Sequence, residues 1–349
     1  MSIRRTAVIG VSAAALALSA SACGSSGSSS SGSKKSGGGS TTVKLMVGGL
    51  DKQIYLPAML TQQLGNFQAQ GLNVQLSDEP AGVDAENQML AGNVDGVVGF
   101  YDHNVDLQAK GKQTESVVQL LQAPGEVEMV RTDEAAQIKS PADFKGKHLG
   151  VTGLGSSTNF ITKALAVRAG VPVNQVTSVP VEAGPTFIAA MQHKQIDAGM
   201  TTEPTITALI QKHLAQPLVD MRTADGARKA LGGTYPASCV YFRTDWVNSH
   251  KDVAQKVVNA FVATMKWINT HSPAEIADKM PPGYYTGVGK AAYVTALQNE
   301  KGMYSPDGLM PADGPKTVLS VMSSFSPDVK GHQIDLSKTY TNTFVQQAK

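Results

Sequence analysis

The stretch 148–170 reads HLGVTGLGSSTNFITKALAVRAG. His148 to Thr152 is a short β run. Thr158 to Ala169 repeats apolar residues at helical spacing through Phe160, Ile161, Ala164 and Leu165, and Gly170 ends the helix. Between the two lies Thr152-Gly153-Leu154-Gly155-Ser156-Ser157-Thr158, a loop of glycines and hydroxyls between a strand and a helix start. A strand, such a loop and a helix form the unit of an open, mainly parallel sheet with helices on its faces.

The same rhythm runs outward in both directions. Val176 to Val181 is the next β run, Thr186 to His193 a helix, and Ile196 to Met200 another β run, after which Pro204 opens a helix. About a hundred residues earlier the order is the same. Val43 to Val47, Leu72 to Leu76 and Val94 to Phe100 read as strands; Ile54 to Leu64, Val83 to Leu90 and Asn104 to Ala109 read as helices. Two local wordings recur. Leu45-Met46-Val47-Gly48-Gly49 faces Leu149-Gly150-Val151-Thr152-Gly153, and Asn93-Val94-Asp95-Gly96 faces Gln195-Ile196-Asp197-Ala198. Two α/β lobes are therefore expected. The last third reads as helical packing around the first lobe: a long helix through Val253, Val257, Phe261, Met265 and Ile268, a capping box at Ser272 to Glu275, and a helix from Asp313-Gly314-Pro315 to about Phe325.

The N-terminal end bears on compartment. Arg4 and Arg5 precede an apolar run from Ala7 to Leu18, and Ser19-Ala20-Ser21-Ala22 leads to Cys23. This is the layout of a secretory signal, residues 1–22, with an apolar part too short to span a bilayer of ~20 residues. From Gly24 to Ser40 the chain is almost only Gly and Ser, a flexible tether. Cys23 directly before such a tether resembles the lipobox of bacterial lipoproteins, although Ala20 stands where those lipoboxes more often carry Leu. The resemblance implies lipidation of Cys23, residues 23–42 as anchor and tether, and an extracytoplasmic, membrane-anchored chain on the cell-surface or periplasmic side. Cleavage after Ala22 leaves roughly 327 of 349 residues, enough for two lobes on a prior of about 150 each. Loss of the two arginines takes the formal charge from +2 to 0, which gives no reason to expect nucleic acid. One further cysteine, Cys239, lies in the apolar run Ala237 to Phe242 and reads as a buried strand thiol.

In open sheets of this kind ligands bind at the carboxyl ends of strands, near helix N-termini. Gly155, Ser156, Ser157 and Thr158 offer backbone N–H groups and hydroxyls to a sulfonate, carboxylate, nitrate or phosphate group. The loop nearly mimics a nucleotide phosphate loop, but Ser156 stands where the lysine belongs, and no third glycine completes a dinucleotide fingerprint. Other strand ends add Gly49 and Leu50, Tyr101, Asp102 and His103, Glu182 and Gly184, and Glu203. Asp102, Glu182 and Glu203 can accept hydrogen bonds from an amine or ring N–H; Asp102 and Glu203 read equally well as helix caps or first-turn charges. His103 reads as a structural histidine. Neither a G-x-S-x-G elbow in the mature part nor H-E-x-x-H nor a Cys/His zinc spacing occurs, so no catalytic residue, metal or cofactor is expected.

These residues in this order resemble the substrate-binding proteins of ABC importers for nitrate, sulfonates, taurine and thiamine-pyrimidine precursors. The resemblance runs from about Val43 to Phe325. It is carried by Leu64-Gly65-Asn66-Phe67, Gly71-Leu72-Asn73-Val74, Leu90-Ala91-Gly92-Asn93-Val94-Asp95, Gly155-Ser156-Ser157-Thr158, Ile196-Asp197-Ala198 and Glu203-Pro204. It implies a two-lobed type II periplasmic-binding fold with a hinge. Two crossover strands fall near Gly125 to Arg131 and Pro236 to Arg243, with lobe I at 43–131 and 236–349 and lobe II at 132–235. It also implies a monomer that closes on a small polar or anionic solute, held at Gly155 to Thr158, and delivers it to a membrane permease. A sensory module presenting solute to a receptor fits the same residues. A pyrimidine-synthesising enzyme on the same fold carries a cysteine-rich motif that this chain lacks.

Overall fold

The computed structural model describes residues 40–348; the signal, Cys23 and most of the tether lie outside the described residues. Ten strands form two five-stranded sheets. The first contains β1 (Thr41–Val47), β2 (Leu72–Asp78), β3 (Gly96–Phe100), β4 (Thr114–Gln119) and β10 (Ser238–Arg243), in the order β2-β1-β3-β10-β4. The second contains β5 (Glu126–Arg131), β6 (His148–Val151), β7 (Thr177–Pro180), β8 (Ala198–Thr202) and β9 (Ala215–Asp220), in the order β7-β6-β8-β5-β9. In each sheet one strand runs against its two neighbours: β10 against β3 and β4, and β5 against β8 and β9. The sheets are mainly parallel, as expected of βαβ units, and the exceptional strand of each is the one that has crossed over from the other lobe.

Helices α1 (Leu56–Gln63), α2 (Asn66–Ala69), α3 (Gly82–Leu90) and α4 (Asp102–Ala109) accompany the first sheet. Helices α5 (Ser157–Arg168), α6 (Pro185–Gln192), α7 (Thr205–Gln211) and α8 (Ala224–Leu231) accompany the second. After β10 the chain continues through α9 (Thr244–Ser249), α10 (Lys251–Thr270), α11 (Pro273–Lys279), α12 (Lys290–Glu300), α13 (Gly314–Phe325), α14 (Pro327–Gly331) and α15 (Thr343–Gln347). Among the described residues no helix is long and apolar enough to cross a membrane.

The repeated wording has a structural meaning. Asp95 N–H donates to Lys44 O at 3.0 Å while its carboxylate accepts from Lys44 N–H at 2.7 Å. In the second sheet Asp197 does the same to His148, at 2.8 and 2.9 Å. Each aspartate ties the loop before the third strand to the first strand and so sets the sheet register.

Two expectations are corrected. Residues 126–131, placed in lobe I, form β5 and pair with β8 and β9 in the second sheet; the crossing is complete by Gly125 because the ladder partners of Glu126 are already second-sheet residues. The C-terminal helices do more than pack the first lobe. α13 reaches α5 of the second lobe, where Phe325 lies 5.8 Å from Phe160 between ring centroids. Phe160 in turn meets His103 of α4 edge to face at 6.2 Å. This aromatic chain joins both lobes beside the helix that follows the glycine loop.

Candidate binding cleft between the lobes

The first-sheet loops and the second-sheet loops touch. Val83 N–H at the start of α3 donates to Ser156 Oγ at 3.3 Å, and Gln53 N–H donates to Glu203 O at 3.0 Å. A Cβ on Gly153 would lie 2.9 Å from Ala81 Cβ, so glycine at 153 is what lets the two loops close on each other. Lys52 is buried and staples the first-lobe side: its ammonium donates to Gly48 O at 2.7 Å and Pro80 O at 2.8 Å. Burial lowers its pKa to about 8.

The glycine–hydroxyl loop is built as a helix start, but its hydroxyls have protein partners. Ser156 is the N-cap of α5 and meets Val83. Thr158 Oγ1 accepts from Thr152 N–H at 3.0 Å and lies 2.9 Å from Thr152 Oγ1, closing the loop on itself. Ser157 Oγ donates to Glu126 Oε1 at 2.8 Å. Gly155, at φ +97°, donates its N–H to Asn159 Oδ1. The helix N-terminus thus faces a carboxyl group supplied by β5.

The other sequence candidates separate. Gly49 and Leu50 turn the chain after β1, with Leu50 N–H held by Asp78 Oδ1 at 2.5 Å. Tyr101 turns its hydroxyl away from the cleft to Thr339 Oγ1 at 2.5 Å and packs against Tyr340. His103 is buried, 3.1 Å from Tyr241 Oη and 3.5 Å from Glu86 through Nδ1; burial lowers its pKa to about 3, so it is a neutral packing residue. Glu182, at φ +56°, is exposed and accepts from Thr186 at 3.5 Å. Gly184 N–H is held by Thr205 Oγ1. Glu203 is buried, follows β8 and precedes a cis bond to Pro204. Its carboxylate caps α7 through Thr207 N–H at 2.9 Å and pairs with Arg222 at 3.1 Å. Of its two sequence readings, the cap describes the contact.

Asp102 remains. It is fully buried; Oδ2 accepts from Tyr235 Oη at 2.8 Å, and Oδ1, without a hydrogen bond, lies 3.9 Å from His103 Nε2. Sequence reasoning missed its counterpart, Glu126, whose Oε1 takes the Ser157 bond while Oε2 has none. Tyr55 and Tyr235 are buried, and after burial itself the Asp102 and Glu126 carboxyls help push their phenol pKa values up. Burial pushes Glu126 up to about 8 and Asp102 to about 7. The alternation Glu126-Val127-Glu128, putting two acids on one face of a strand, was a signal open to the sequence. Glu128 is buried as well, held by Thr162 at 2.9 Å, with its pKa raised by burial to about 8. Arg222, on the short loop after β9, was missed too; no residue near it in sequence marks Glu203 as its partner.

The family model described as NMT1/THI5 like matches residues 54–276. A solved protein of Bordetella bronchiseptica RB50 is 33% identical, with 88% of this chain and 96% of that one aligned and a TM-score of 0.84. The alkanesulfonate-binding protein SsuA from Xanthomonas axonopodis pv. citri, bound to MOPS, shares the fold at 15% identity, covering 86% and 98% of the two chains with a TM-score of 0.69. The periplasmic nitrate-binding protein NrtA from Synechocystis PCC 6803 does so at 12% identity, 88% of each chain and a TM-score of 0.68. No curated protein sequence matches this chain. A motif-bearing core that spans both sheets, matched over most of its length, places the chain in the NMT1/THI5-like family.

Proposed function

We propose that the chain is the extracytoplasmic solute-binding component of an ABC importer, exported by residues 1–22 and anchored through Cys23. It captures a small polar solute between its lobes and hands it to a permease. The observation that carries this reading is the meeting of loops from both sheets where two chain crossings join the lobes: Val83 N–H donates to Ser156 Oγ and Gln53 N–H to Glu203 O, beside the start of α5. A ligand bridging both lobes stabilises the closed form by its differential affinity for it. Relatives named for sulfonate and nitrate binding share the fold and support a transport role. Binding rather than catalysis fits the thiol chemistry: Cys239 is buried in β10, and burial pushes its pKa up, away from a thiolate.

The test is native mass spectrometry of the purified chain, followed by small-angle scattering with and without the ligand found. A bound small mass, and a smaller radius of gyration with it than without it, supports capture and closure. A folded chain with no bound mass and no change in shape across a broad solute panel would sink the proposal. Labelling with radioactive palmitate, abolished by Cys23→Ala, checks the anchor.

A further inference from the structure

On the flank of the second lobe, α5, α8 and β9 line a hollow of about 570 Å³. That lies inside the roughly 300–1,000 Å³ range of small-molecule sites. Its floor is apolar: Leu165 of α5 is buried, and Leu218 of β9 and Ala230 of α8 are half-buried beside it. The charged residues that line it are Arg168, Lys229 and Asp220. Asp220 is already satisfied, because the Arg222 guanidinium holds both of its oxygens, at 3.0 and 2.6 Å. Arg168 and Lys229 are exposed. Among the described residues Arg168 is the one arginine without a carboxylate partner, since Arg131, Arg222, Arg228 and Arg243 all have one. Lys229 has none either.

The two cations have a positional reason of their own. They stand in the last turns of α5 and α8, where the helix dipole favours positive charge. That accounts for their type, but not for the apolar hollow they share. Arg168 is also set in place. A Cβ on Gly232, the C-cap of α8, would lie 3.3 Å from its Nη2 and 3.6 Å from its Nη1, so the guanidinium lies along the end of α8 and glycine leaves it room. A guanidinium fork beside an apolar floor, with the neighbouring acid already paired, is short of an anion. The hollow is also apart from the cleft. α5 has 12 residues and is therefore ~18 Å long, with Ser156 at its cleft end and Arg168 at the other.

We propose that this hollow is a second binding site, for a small monoanion with an apolar body, of the aryl or branched-alkyl carboxylate kind. Its carboxylate pairs with Arg168 through two parallel charge-assisted bonds and with Lys229 as a point charge, while its body lies on Leu165, Leu218 and Ala230. At the far end of α5 from the cleft loop, such a ligand is not the captured solute. The proposal therefore goes beyond the capture reading, and its test does not depend on what the cleft holds.

The experiment is calorimetry and amide hydrogen exchange on the purified chain. Benzoate and isovalerate are the anionic probes, and benzamide is the neutral match of benzoate. The expected result is saturable heat with both anions, none with benzamide, and slowed exchange in α8 and the last turns of α5. Arg168→Gln should weaken benzoate binding roughly ten- to hundredfold, and Arg168→Lys less, because the charge stays while the fork is lost. Lys229→Gln, at an exposed position, should weaken it as well, so the test does not rest on one variant. Ala230→Phe, which fills the hollow, should remove binding with the melting temperature kept. Benzoate binding left unchanged by Arg168→Gln and Lys229→Gln, or protection confined to residues 153–158, would put the anion in the cleft and overturn the proposal. Benzamide bound as tightly as benzoate would overturn the ionic recognition on which it rests. Silence from both anions at millimolar concentration would overturn it outright.

Discussion

Thr158 and Glu126 show how a residue's role depends on what meets it. Thr158 belongs to a hydroxyl run that, in sequence, offers donors to a ligand. Its Oγ1 instead accepts from Thr152 N–H and packs against Thr152 Oγ1 inside the lobe. Thr158→Val should therefore destabilise the chain by about 1–3 kcal/mol, since it leaves a buried N–H unsatisfied. Urea unfolding followed by circular dichroism measures this, and an unchanged midpoint would contradict the assignment. Glu126 was invisible as a site residue because its partners, Ser157 and Thr202, are 31 and 76 positions away, and only the ladder brings them together.

At the scale of strands and helices, local pattern did most of the work. The helical spacing of Phe160, Ile161, Ala164 and Leu165 matches α5, and the capping box at Ser272 is formed, with Glu275 N–H on Ser272 Oγ at 3.3 Å and Ser272 N–H on Glu275 Oε2 at 2.8 Å. Helix starts shifted by a residue or two where a neighbour supplied the first turn: the helix read from Asn104 begins at Asp102, and the one read from Ile54 begins as a 3-10 turn at Gln53 before α1. Close approach of β6 and β8 depends on a pair of glycines. A Cβ on Gly199 would lie 2.6 Å from Gly150 O and 2.9 Å from Gly150 Cα, and backbone cannot swing aside. Gly199→Ala should cost at least about 1–3 kcal/mol by forcing the strands apart. Its melting temperature should fall accordingly; a variant as stable as the parent would show that the sheet can widen freely there.

For the whole molecule, buried acids set the pH response. Burial raises Glu86, Glu126 and Glu128 to about 8 and Asp102 to about 7, from ordinary values of 4.5 and 3.8. The folded state holds more protons than the unfolded one between these limits. Stability is thus full below the ordinary values and is lost as pH rises through the raised ones. The unliganded chain should melt at a lower temperature at pH 8.5 than at pH 5.5, each group contributing up to about 1.4 kcal/mol per pH unit across its interval. His103 acts on the acid side, since its pKa is lowered to about 3 and its contribution is lost as pH falls from 6.5 toward that value. Scanning calorimetry across pH checks both slopes; a melting temperature that rose from pH 5.5 to 8.5 would refute the first. Closure depends on loop contact: Gly153→Val would drive a side chain into Ala81 and hold the lobes apart, so scattering should show no contraction with ligand while each lobe stays folded. The two α/β lobes were legible in the sequence because the alternation of strand and helix and the glycine stops are local, and because the wording around Asp95 recurs around Asp197. Of the candidate cleft, the sequence marked Asp102 as the head of its own helix. The cleft's other half was decided by tertiary structure, because a cleft between lobes is made of side chains whose positions follow from two chain crossings. Whether an acid there is a cap, an ion pair or an open acceptor depends on neighbours that no local spacing brings together.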